Sequence, residues 1–169
     1  MKCNLFRCSS SRLGWAALIF VCLLLEGVAL YYQYQLDYLP CVLCIHVRML
    51  ITFVLVVACI GWLFVKHQWI SRITLLATAA IWIWLSERSY QLLATERGCN
   101  MGECSMESGL PSWLALEQWF PWLFHIHEPC GYTPYILFQI STAEILIVMC
   151  IGFALFYTAA ALTAFARKN

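Results

Sequence analysis

Charge is scarce in this chain. Asp, Glu, Lys and Arg make up 11% of its 169 residues, and the formal net charge is +1. Soluble domains carry about 25% charged residues. So weak a charge balance excludes a bulk electrostatic partner such as nucleic acid. The sequence also has no glycine-rich phosphate loop, no internal repeat and no low-complexity tract. Those absences exclude a nucleotide fingerprint and a solenoid architecture. Apolar residues fill the space: 63% of the chain is hydrophobic and the mean hydropathy is +0.77. The class this indicates is an integral membrane protein of one domain, all-α, with lipid bilayer as its solvent.

Long uncharged runs supply the spans. Leu13–Leu25 is uncharged, and its apolar pattern continues past Glu26 to Tyr34. Met49–Val65 is uncharged and extends back to Val42, while Ile73–Ser86 runs on past Glu87 and Arg88 to Leu93. Ile145–Ala166 is the cleanest, with 22 uncharged residues. A helix needs about 20 residues to cross the hydrocarbon. The expectation is a four-transmembrane-helix bundle with spans at 13–34, 42–65, 71–93 and 143–166. The first has a basic start and a faint small-residue site at Gly27-Val28-Ala29, as a signal peptide would. Its apolar run is too long for that, and Glu26 precedes the site, so it is read as a helix.

Charge asymmetry orients the bundle. With both termini and the 66–72 loop on one side, Lys2, Arg7, Arg12, Lys66, Arg72, Arg167 and Lys168 share it, seven of the ten basic residues. The positive-inside rule then makes the termini cytoplasmic. Two outward loops remain, 35–41 and 94–142. A connection as long as the second is usually functional. Within it, SWLALEQWFPWLF (112–124) has three tryptophans and two phenylalanines. It is too short to span and reads as a short helix on the outer membrane surface.

The chain has ten cysteines. Cys22, Cys59 and Cys150 fall inside spans as small hydrophobes. Cys41, Cys44, Cys99, Cys104 and Cys130 fall outside, where thiols tend to pair. The stretch LPCVLCIHVRM (39–49) draws attention first. If a helix starts after Pro40, Cys41 and Cys44 share a face at i, i+3, and Arg48 follows Cys44 one turn deeper. The helix dipole and a nearby cation both stabilise a thiolate there. Other readings stay open at this point. The pair could belong to a zinc site completed by His125, His127 and Cys130 (HIHEPC), although there is no second CxxC. It could be a structural disulfide, although so tight a loop gains little. Arg48 could simply snorkel to the headgroups.

A redox-active pair needs an outlet for two electrons. No dinucleotide motif is present. His46 and His67 fall at opposite ends of the second span, so they cannot face each other as haem ligands. An acceptor dissolved in the bilayer remains, with Arg48 placed to stabilise its reduced form. A membrane quinone fits.

Taken together, PCVLCIHVR, the four spans and the outward cysteines flanking the aromatic segment resemble the disulfide bond formation protein B (DsbB) family over essentially the whole chain. ERSYQL adds a local match at Arg88 and Gln91. The resemblance implies an inner-membrane oxidoreductase that reoxidises a periplasmic DsbA-type dithiol oxidase and passes the electrons to ubiquinone or menaquinone. It implies Cys41, Cys44, Cys104 and Cys130 as catalytic residues, paired 41–44 and 104–130. Cys44, Arg48 and Arg88 would then lie on the quinone side. His46, between Cys44 and Arg48, joins them because histidine titrates near neutrality and could serve proton supply. The sequence departs from the family at Cys99 (GCNMGEC), an extra outward thiol. The competing readings are a relative serving a dedicated partner and a metal-binding or purely structural membrane bundle.

Overall fold

The computed structural model describes residues 9–37, 41–98, 135–137 and 140–166. Its elements in chain order are α1 (Arg12–Gln35), α2 (Val42–Leu63), α3 (Gln68–Glu96), β1 (Tyr135–Leu137), β2 (Ile140–Ser141) and α4 (Thr142–Ala166). All four helices are long and apolar enough to cross a membrane. The shortest, α2, has 22 residues, about 33 Å at 1.5 Å per residue, enough for a hydrocarbon layer of about 30 Å. The surface helix expected at 112–124 and Cys99, Cys104 and Cys130 lie outside the described residues. The two short strands, which pair antiparallel as Tyr135 with Ser141 and Leu137 with Ile140, add a small hairpin to the expected all-helical chain.

Local chemistry sets the helix ends. Ser11 caps α1, its Oγ accepting from the Gly14 amide at 3.0 Å. Beyond α1, Asp37 takes φ 52°, a left-handed conformation that Asp tolerates better than most side chains. α3 stops at Gly98, which has φ 74° and donates its amide to Thr95 O at 3.0 Å. Glycine adopts that backbone without a Cβ penalty. α4 opens with a reciprocal cap: Ser141 Oγ accepts the Glu144 amide at 3.3 Å, and Glu144 Oε2 accepts the Ser141 amide at 3.4 Å. This is the S-x-x-E capping box.

Sequential helices pack as antiparallel neighbours, α1 on α2, α2 on α3 and, most extensively, α3 on α4. One core draws on all four helices, including Trp15, Cys22, Val54, Ala58, Leu75, Trp82, Cys150 and Tyr157. Large apolar side chains also point outward, among them Phe20, Leu24, Val56, Val148 and Leu155. Helices apolar on every side suit lipid on the outside. Lipid tails are as apolar as leucine, so close packing rather than exclusion from water must join the helices, and small residues allow it. The buried Ala154, Ala160, Ala161 and Ala164 on α4 serve this end, with Ser71, Thr74, Thr78 and Ser89 on α3. Three of these hydroxyls are satisfied within the helix: Thr74 Oγ1 donates to Ile70 O at 2.9 Å, Thr78 Oγ1 to Thr74 O at 2.8 Å and Ser89 Oγ to Leu85 O at 2.8 Å. Back-bonding of this kind lets a hydroxyl survive in hydrocarbon.

Candidate active site

The CxxC pair forms the mouth of α2. Cys41 is its N-cap, with extended backbone (φ −83°, ψ 168°). Its sulfur accepts the Cys44 amide at 3.4 Å, while its carbonyl accepts the Ile45 amide at 3.0 Å to start the helical ladder. A cap followed by three helical positions brings the thiols side by side, and the Cys41 Sγ–H donates to Cys44 Sγ at 2.9 Å. Pro40 lies outside the described residues. The pair sits where three helix ends converge: Cys41, Leu43, Leu92 and Ala143 pack together, with Cys44, Leu93 and Leu146 against them. Cys41 is 4% exposed, whereas Cys44 is half-buried. At the same end the Arg97 guanidinium meets Glu144 Oε1 at 2.8 Å, tying the end of α3 to the start of α4.

Arg48 does not reach out to the headgroups. It is 4% exposed and turned toward α1. Its Nη1 donates to Gln33 Oε1 at 2.6 Å, and its Nε lies 3.5 Å from Glu26 Oε2 as an ion pair. Thr52 closes the cluster from α2, donating to Glu26 Oε1 at 3.3 Å and to the Arg48 carbonyl at 3.0 Å. A charge in a membrane span is costly unless paired, and here the counter-charge comes from the neighbouring span.

Of the other expected residues, His46 is half-buried on α2 between the cysteines and Arg48. Arg88 is half-buried on α3, and its Nη1 donates to Gln91 Oε1 at 3.0 Å. It stands one turn before Leu92, which packs in the CxxC cluster. No three His, Cys, Asp or Glu come together as a metal site among the described residues. The sequence pattern gives Gln33 and Thr52 no task and marks Glu26 only as a charge within the first span. The spacing contains a signal for all three. Glu26 and Gln33 are seven apart, two turns along one face of α1, and Thr52 is four beyond Arg48.

Paired thiols capping a membrane helix, above a buried arginine in the same helix, define a membrane dithiol site, suited to thiol–disulfide exchange at the end of a bundle. The family model for disulfide bond formation protein DsbB matches residues 11–160. The chain belongs to this family and is a disulfide-bond-forming membrane oxidoreductase. Relatives named disulfide bond formation protein B include one from Shewanella frigidimarina, 30% identical over 86% of this chain and 85% of its own. Another, from Aeromonas salmonicida, is 33% identical over 74% of this chain and 73% of its own. A third, from Photorhabdus laumondii, is 30% identical over 73% of both chains.

Proposed function

We propose that this protein reoxidises a periplasmic DsbA-type dithiol oxidase at the inner membrane and delivers the electrons to a membrane quinone, ubiquinone or menaquinone. The observation that carries the reading is the placement of Cys41 and Cys44, 2.9 Å apart at the N-terminus of α2, with Arg48 one turn deeper and buried.

A thiolate of the reduced partner attacks Cys104, and Cys130 leaves. Cys130 attacks Cys41 of the 41–44 disulfide, and Cys44 leaves as a thiolate near the positive end of the α2 dipole. The partner's second thiolate closes its own disulfide and releases Cys104. Cys104 then attacks Cys130, which restores 104–130 and frees Cys41. Each step exchanges one sulfur–sulfur bond for another. The 41–44 disulfide re-forms as two electrons and two protons pass to the quinone, which supplies the oxidising power for the cycle. The burial of Cys41 favours an attacking thiol from the chain itself over one on a large soluble partner. Arg48 offers hydrogen-bond donors and a fixed positive charge to the acceptor oxygen, with Cys44, His46 and Arg88 beside that position. Arg48 fits this task because its Nη2 is buried and, among the described residues, has no hydrogen-bond partner.

The test is anaerobic reduction of a short-chain ubiquinone by the purified protein with a reduced DsbA-type protein. Stoichiometric quinol formation is expected. No quinol formation, with the dithiol still reduced, would refute the assignment.

A further inference from the structure

We propose that Glu26 is a positioning residue, whose ion pair with Arg48 sets the edge of the guanidinium that faces the electron acceptor. The inference rests on the reading of Arg48 as the acceptor's contact and goes beyond it by assigning its orientation to α1.

A guanidinium has five N–H donors in a rigid plane. In Arg48 the Nε faces Glu26 Oε2 at 3.5 Å and Nη1 is held by Gln33 Oε1 at 2.6 Å. Both acceptors come from α1, two turns apart, and between them they engage two of the three guanidinium nitrogens. The carboxylate is itself anchored. Thr52 Oγ1 donates to Glu26 Oε1 at 3.3 Å and to Arg48 O at 3.0 Å, so its placement is referred back to the backbone of the helix that carries Cys44. Nη2 is then the buried donor left for an acceptor oxygen. Glu26 also neutralises Arg48 inside the span. Without it the guanidinium is a buried, uncompensated charge, free to turn toward water or headgroups. Glu26 meets Arg48 and Thr52, one and two turns deeper in α2 than Cys44, so losing the carboxylate affects the acceptor side and spares exchange with the dithiol partner.

The experiment is steady-state kinetics of the full-length protein in detergent, with a short-chain ubiquinone and a reduced DsbA-type protein varied in turn. Glu26→Gln should raise the KM for quinone about tenfold or more, the scale of one hydrogen bond to a charged group, and leave the KM for the dithiol partner unchanged. Thr52→Val should move it the same way by less. In an Arg48→Lys background, Glu26→Gln should add nothing, because both act through one interaction. Equal rises in both KM values would mean a merely structural role and overturn the inference. It is also overturned if Arg48→Lys raises the quinone KM while Glu26→Gln does not; Arg48 would then keep its assigned contact. If Arg48→Lys itself leaves the quinone KM unchanged, the reading of Arg48 fails, and this inference with it. Should Glu26→Gln fail to fold, Thr52→Val decides, and an unchanged quinone KM counts against the proposal.

Discussion

Cys44 and Arg48 stand one helical turn apart, yet the proposed mechanism gives them separable tasks. Cys44 is the more open thiol of its pair and sits within the first turn of α2. Serine there keeps the helix start but provides no thiolate for redox chemistry. Cys44→Ser is therefore expected to abolish quinone reduction while the protein still binds its dithiol partner. Retained turnover, measured anaerobically as quinol formation, would remove Cys44 from the electron path. At this scale the cysteines and Arg48 were legible, because a CxxC before an uncharged run and a lone arginine within it are both unusual. Gln33 and Thr52 were not. An isolated glutamine or threonine in an apolar helix looks like many others, and only the docking of α1 on α2 gives them a common partner.

Two contacts decide how the helices fit. Trp15 is fully buried, and its ring lies flush on Gly61 of α2. A β-carbon at 61 would stand 2.6 Å from Trp15 Cε2. A rigid, enclosed indole cannot give way cheaply, so Gly61→Ala should cost about 1–3 kcal/mol. This would be read as a lower thermal midpoint in detergent; an unchanged midpoint would show that α1 shifts without penalty. At the other end, Ser141→Ala removes the α4 cap and should cost about 1 kcal/mol. It should also speed proteolysis near residue 141; an unaffected rate would mean that Glu144 and Arg97 hold that turn unaided. The capping box can be read from Ser141-Thr142-Ala143-Glu144, whereas nothing in the sequence pairs Gly61 with Trp15. That contact joins residues 46 apart and depends on the crossing of two helices.

For the whole molecule, the proposed relay requires two separate disulfides on one face of the membrane. Peptide mapping of the oxidised protein is expected to show links 41–44 and 104–130. A dominant 99–104 link would instead make the extra thiol part of the second pair and change which sulfur the partner meets first. Topology has its own test. A cysteine introduced as Lys66→Cys, in the turn between α2 and α3, should react with a membrane-impermeant thiol reagent only from the cytoplasmic side. Labelling from outside would invert the bundle and place CxxC on the wrong face for a periplasmic partner.

The sequence by itself determined the membrane class, the helical content and the dithiol motif. These follow from short-range physics: uncharged runs long enough to span, the need to satisfy every backbone polar group in lipid, and residue types three and four apart on one helix. Tertiary structure alone decided what surrounds Arg48. Its partners Glu26 and Gln33 lie 22 and 15 positions earlier in the chain, on another span. Pairing a buried charge across helices depends on how their ridges and small residues interlock.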